Sequence, residues 1–180
     1  MPDGASFERS TTAPTDSDNW VSMSADNQGT IKMWVDGNTV KWYSDYPHVY
    51  ASPVNTTNLF MFDRSEKFKR IDLTGIDFSK CTTLHMFNDN MNVETIDMSG
   101  IDVSNVTGMG GLFHGLSKLK TVYVSNDFNT SNVTFSDNMF DGCTSIVGGE
   151  DTTYDENHTD ISYAHVDGGT DNPGYFTLKQ

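Results

Sequence analysis

Residues 95–107 read "TIDMSGIDVSNVT", and the chain says nearly the same thing on either side, with "RIDLTGIDFSKCT" at 70–82 and "TVYVSNDFNTSNVT" at 121–134. Self-similarity at a fixed period of 20 to 50 residues marks a stack of supersecondary units, so the register of the copies comes before any local motif. Ile71, Ile96 and Val122 are spaced by 25 and 26 residues, as are Leu73, Met98 and Val124, and Phe68, Val93 and Leu119. Phe62, Phe87, Phe113 and Phe140 recur at 25, 26 and 27, which adds a partial unit beginning near "TTNLFMF" (56–62).

Within a unit the apolar period changes halfway. In "FKRIDLTG" (68–75), Ile71 and Leu73 alternate with Arg70, Asp72 and Thr74, the two-residue period of a half-buried strand. In "SNVTGMGGLFHGL" (104–116), Val106, Met109, Phe113 and Leu116 are spaced by three, four and three, which predicts one face of a short helix capped by Ser104 or Asn105. Gly108, Gly110 and Gly111 each weaken that helix by roughly 1 kcal/mol relative to alanine, so packing has to hold it. A strand, a turn and a short helix per unit predict an α/β solenoid, a leucine-rich-repeat-like right-handed superhelix with its strands in a parallel sheet.

Such a stack needs covers at both ends. "WVSMSADNQGTIKMWVDGNTVKWYS" (20–44) alternates around the turn signals "DNQG" and "DGN", so residues 20–50 are expected to form an N-terminal β-meander over the first repeat. Residues 51–146 are the repeats. Residues 147–180 are expected to form a C-terminal cap, an acidic loop followed by a β-hairpin in "ISYAHVDGGTDNPGYFTLK" (161–179). Residues 1–19 are polar, rich in Ser, Thr, Asp and Pro, and are read as a flexible tail ahead of one structural domain over 20–180.

The chain has 180 residues, with 25 acidic against 11 basic side chains and a net charge of −14. That charge repels phosphate backbones and anionic headgroups, so nucleic acid and membrane surfaces are poor partners. No run of apolar residues is long enough for membrane insertion, and the N-terminus lacks the basic start and apolar core of a signal peptide. Cys81 falls in the column of Val106 and Val133, whereas Cys143 falls in that of Leu116, two units along. That separation exceeds the roughly 7 Å Cα limit of a disulfide, so two buried free thiols are expected.

Little in the sequence points to catalysis. Asp72 and Asp97 occupy equivalent outward positions on neighbouring strands, about 5 Å apart, but translation of the repeat produces that pairing without any pocket. Acidic "GEDTTYDENHTD" (149–160) offers hard oxygen atoms but no calcium-loop spacing. The five histidines have no paired-ligand spacing, and no zinc or other metal and no cofactor is expected. Sequons begin at Asn55, Asn105, Asn129, Asn132 and Asn157, and two of them are the "SNVT" of the repeat, where Asn is expected to satisfy backbone groups.

What remains is surface. The outward strand residues Arg70, Asp72, Thr74, then Thr95, Asp97, Ser99, then Thr121, Tyr123, Ser125 form one continuous polar face, the expected ligand-binding surface with Tyr123 as an anchor. Replacing Asp97 and Tyr123 together is expected to abolish binding without lowering stability. Tyr43, Tyr46 and Tyr50 in "WYSDYPHVY" (42–50) offer a second patch able to stack on sugar rings.

The units "IDMSGIDVSNVTGMGGLFHGLSKLKTVYVS" (96–125) and "FNTSNVTFSDNMFDGCTSIVGG" (128–149) resemble the BspA-like leucine-rich-repeat family of bacterial surface proteins, whose repeat runs approximately L-D-L-S-x-F-D-T-S-N-V-T-x-M-x-x-M-F-x-G-C-x-S-L. The closing "YDENHTDISYAHVDGGTDNPGYFT" (154–177) is similar to that family's usual ending, and the likeness covers roughly 54–178. The first complete unit departs from it, with "KCT" in place of "NVT" and one residue missing before "MF". The resemblance implies a non-enzymatic adhesion or interaction module at an extracellular cell surface, a monomer meeting a host or neighbouring-cell surface protein or glycan. Signal and anchor are not expected within this chain. A passive spacer within a larger surface protein and a carbohydrate-binding module are the alternatives.

Overall fold

The structure is a computed structural model and describes residues 3–15, 17, 21–24, 30–46, 49–51, 67–87 and 92–180. Trp20, His48, the Asn55 sequon and the partial unit at 56–62 with Phe62 lie outside the described residues.

The alternating halves of the three copies become β6 (Phe68–Asp72), β8 (Thr95–Asp97) and β9 (Thr121–Val124). They run parallel, with Ile71 opposite Ile96 and Ile96 opposite Val122, so the register counted along the chain is the register of the sheet. All three of these side chains are fully buried, each stabilising the fold by about 1.5–3 kcal/mol through the apolar surface it removes from water. The phenylalanine column stacks in the same way. Phe87 and Phe113 lie 5.9 Å apart at 5°, and Phe113 and Phe140 5.3 Å apart at 19°. Phe176 packs edge-on against both Phe113 and Phe140, and Tyr175 edge-on against Phe140.

The solenoid of strand–short-helix units is not what forms. Among the described residues there is no α-helix, and the second half of each unit is a series of turns with isolated parallel bridges from Thr83 to Gly108 and from Gly108 to Phe135. An α-helix needs each amide to bond the carbonyl four residues back, and here those amides are committed sideways. Leu84 donates to the Gly108 carbonyl, Met109 to Phe135, Phe113 to Met139 and Gly115 to Asp141. Gly111 and Gly115, at φ +64° and +76°, also adopt the left-handed region that no helix contains. The three–four–three spacing of Val106, Met109, Phe113 and Leu116 does bury all four side chains, but tight turns bring them inward, with Leu112 bonded to Met109 and Leu116 to Phe113. With the helices absent, the right-handed superhelix of such units is absent too.

The sheet extends past the repeats on both sides. Its order is β10-β9-β8-β6-β1-β4-β3-β2, where β1 is Ala5–Arg9, β2 Val21–Ser24, β3 Thr30–Asp36, β4 Thr39–Tyr43 and β10 Phe176–Leu178. β2, β3 and β4 form an antiparallel meander. It does not cover the first repeat directly, because β1 lies between β4 and β6, parallel to both. The flexible tail over 1–19 is therefore corrected: Ala5 and Phe7 are buried on alternate positions of β1, and Phe7 packs edge-on against Phe68 at 6.2 Å. Two apolar residues in a polar stretch carry too weak a period to be read locally, and the sheet supplies the partners on both edges.

The C-terminal hairpin is also corrected. β10 pairs parallel with β9, and Val166 makes a parallel bridge to Phe176, so 161–179 holds no antiparallel pair. Two 3₁₀ turns, Ile161–Tyr163 and Gly169–Asp171, occupy the stretch instead. The cause is Asp167, a buried carboxylate that accepts from the amides of Glu150, Thr152, Gly169 and Gly174 and from the Thr152 hydroxyl, folding the Gly-Gly, Asn-Pro-Gly segment around itself. A separate two-stranded parallel sheet joins β5 (Val49–Tyr50) to β7 (Ile76–Asp77).

Cys81 and Cys143 are buried and unbridged, with burial pushing their thiols up to about 11 and about 12. The Cys143 thiol donates to the Phe113 carbonyl of the preceding unit. Because Phe113 sits between two stacked rings, Phe113→Ala is expected to lower the unfolding free energy by about 3–5 kcal/mol. Urea denaturation followed by tryptophan fluorescence measures it.

Candidate functional site

The outward strand face is less open than its sequence suggests. The register sets Asp72, Asp97, Tyr123 and Thr177 in one row across β6, β8, β9 and β10. Asp97 is fully buried, not exposed. Arg70 Nη2 donates to Asp97 Oδ2 and to Asp72 Oδ2, both at 3.2 Å, and Lys179 Nζ reaches across β9 to Asp97 Oδ2 at 2.5 Å. The Ser99 amide and hydroxyl both donate to Asp97 Oδ1. Burial alone would raise the Asp97 carboxyl. The hydrogen bonds from Lys179 and Ser99 and the Lys179 charge outweigh it and hold the group below the usual carboxylate range. Asp97 therefore fastens β6, β8 and β10 together, and the expectation that it can be replaced without loss of stability is overturned. Of the rest of the face, Thr95 stands beside Arg70 and Thr121, Ser125 Oγ accepts from the Gly100 amide, and Tyr123 is half-buried.

At the C-terminal ends of the parallel strands β1, β4 and β6 the surface opens into a cleft of about 610 Å³, within the range of ligand pockets. Arg9, Ser10 and Thr11 line it after β1; Tyr43, Ser44, Asp45 and Tyr46 after β4; Asp72, Thr74 and Gly75 after β6; and Lys179 closes the far side. The structure thus brings Tyr43 and Tyr46 of one predicted patch together with Asp72 and Thr74 of the other. Tyr50 does not join them. It lies on β5 with the Lys80 ammonium 3.9 Å over its ring.

Arg9 organises the cleft. Its guanidinium lies 5.0 Å over the Trp42 ring and donates to the carbonyls of Gly75 and Tyr46. Gly75 leaves room for it: φ is +86°, and a Cβ there would fall 2.4 Å from Arg9 Nη1. Asp72 Oδ1 caps the turn by accepting from the Thr74 amide, and Ser44 Oγ accepts from the Tyr46 amide. The Tyr43 hydroxyl donates to Asp45 Oδ1 at 2.6 Å, which raises its pKa. Tyr46 itself is 48% exposed. Arg9, Ser10, Thr11, Ser44, Asp45, Gly75 and Lys179 were missed by the sequence reading. The alternations in "ASFER" and "FTLK" are the only local signals for the first and last of them.

A second groove of about 690 Å³ lies in the C-terminal segment, between the loop Glu150–Asn157 and Tyr163, Thr170 and Pro173. The loop is held by Asp167 and by the Asp155 amide, which donates to the Tyr175 hydroxyl. Among the described residues no three His, Cys, Asp or Glu side chains converge to hold a metal ion. No helix among them is long and apolar enough to cross a membrane. The repeat asparagines spend their amides on the preceding unit, Asn105 Nδ2 on the Ser79 carbonyl and Asn132 Nδ2 on that of Ser104, both at 2.7 Å.

The chain belongs to the family of Mycoplasma proteins of unknown function called DUF285, whose profile matches residues 56–165, more than half of the sequence. The match points to a bacterial surface-protein family and does not extend to a BspA-like leucine-rich repeat. No curated protein and no solved structure compared with the chain gives a match.

Asp97→Asn removes the charge that two cations share. Both cations are partly solvated and rehydrate, so the expected cost is roughly 1–3 kcal/mol, visible as a lower urea midpoint. Burial alone would raise Asp167, but its hydrogen bonds from Thr152, Gly169 and Glu150 bring it down to about 2, from an ordinary value of 3.8. The unfolded chain then takes up the proton first as pH falls, so the stability this group contributes is complete above about pH 4 and lost on the way to pH 2. Thermal melts across that window are expected to show this loss, and Asp167→Asn is expected to flatten it.

Proposed function

We propose that this chain is a non-enzymatic adhesion or interaction module of a bacterial surface protein, displayed outside the cell as a monomer, with its ligand seated in the cleft at the ends of β1, β4 and β6. One observation carries the reading: two patches 25 to 30 residues apart in the chain, Tyr43 with Tyr46 and Asp72 with Thr74, line the same cleft. The half-exposed Tyr46 ring is held there by bonds to its own backbone from Arg9 and Ser44. A preorganised aromatic at a concave polar site loses little freedom on binding, which is what favours it as an anchor. The repeat's resemblance to bacterial surface proteins and membership of a bacterial family support the location. The face beyond Asp72 contributes less than its composition suggests, because Asp97 is shielded by Arg70 and Lys179.

The rival reading is a passive spacer. An array carrying glycans together with collagen and laminin separates the two, since a spacer gives no signal on any spot. On spots that bind, Tyr46→Ala is expected to weaken the signal at least about tenfold while the melting temperature stays put, as for an exposed side chain outside the core. Binding that survives Tyr46→Ala undiminished would remove the cleft from consideration.

A further inference from the structure

We infer that the cleft takes an uncharged pyranose sugar, an inference that rests on the cleft being the binding site. Its charges cancel: Arg9 and Lys179 stand against Asp45 and Asp72. Each is already engaged within the protein, Arg9 with two carbonyls, Lys179 with Asp97, Asp72 with Arg70 and the Thr74 amide, and Asp45 with the Tyr43 hydroxyl. No cation is left in excess to select a carboxylate, sulfate or phosphate, and the net charge of −14 repels such groups at long range. No aliphatic side chain lines the cleft, so an apolar peptide anchor has no pocket to fill.

A sugar ring asks for two different things. Its C–H face needs a flat apolar surface, and its hydroxyls need partners that both donate and accept. Tyr46 supplies the first as the one large apolar surface exposed at the cleft. Ser10, Thr11 and Thr74 supply amphoteric hydroxyls around it. The carboxylates of Asp45 and Asp72 retain acceptor lone pairs beyond their internal bonds.

The test uses the whole chain in isothermal titration with methyl glycosides of glucose, galactose, mannose and N-acetylglucosamine, with glucuronic and sialic acids, and with collagen and laminin stripped of glycans. Binding of at least one neutral glycoside is expected, unchanged between about 50 and 500 mM salt because no net charge is exchanged. Tyr46→Ala should weaken it at least about tenfold, and Tyr46→Phe, which keeps the ring, should restore it. Asp45→Ala should weaken it separately, with an unchanged melt showing that the fold is intact. Binding of only the acidic sugars with steep salt dependence, or of only the stripped proteins, overturns the sugar inference and leaves the cleft standing as the site. A chain that binds none of these probes, nor any spot of the array, overturns both.

Discussion

Every copy of the repeat finds its hydrogen-bond partners on the next copy. Glu94 donates to the Lys69 carbonyl, Lys120 to Glu94 and Val147 to Lys120 on the strand side; Thr107 donates to Thr82 and Thr134 to Thr107 on the turn side. Side chains follow the same rule, with Asn105 and Asn132 on the carbonyls of the preceding unit and Cys143 on that of Phe113. A backbone amide buried without a partner costs free energy comparable to a lost hydrogen bond, so no unit of this chain is satisfied alone. This constraint decides the local structure as well. Amides used sideways are not available to a helix, which is why amphipathic spacing produces turns here.

The same dependence makes the ends of the stack the places where other parts of the chain must come in. At one end β1 enters between the first repeat strand and the meander. At the other, β10 pairs with β9, and its outer edge is engaged by the Asp167 amide on the Phe176 carbonyl and by the Phe176 amide on the His165 carbonyl. An edge engaged in this way offers little to a further strand. Lys179, just past β10, then clamps the closing strand to Asp97 two strands away. The cation that seals the sheet is also a wall of the cleft, so the site exists only once the C-terminal strand has docked.

The cleft itself follows from strand polarity. β1, β4 and β6 are parallel and end together, so the loops leaving them diverge from one edge and leave a concavity between them, the position that open parallel sheets use for ligands. Arg9 keeps that concavity in shape by tying the loop after β4 to the turn after β6. Binding chemistry and fold share residues here, which fits a module whose task is to present a rigid surface.

The sequence by itself determined what repeats by translation. The rows Ile71, Ile96, Val122 and Phe87, Phe113, Phe140, the burial of Val106, Met109 and Leu116, the antiparallel meander and the separation of Cys81 from Cys143 were legible, because each copy confirms the others at a fixed spacing. Only the tertiary structure decided the rest. Side-chain periodicity reports which residues face inward but not which carbonyl an amide chooses, so the helix expected over 104–116 gave way to turns. Ala5 and Phe7 carried too little pattern to announce β1, whose stability comes from the two strands beside it. Asp97 looked like a solvent-facing residue because alternation places it outward, and its burial depends on Lys179, 82 positions away. Long-range partners of this kind leave no periodic trace in the chain, and the cleft is built almost wholly from them.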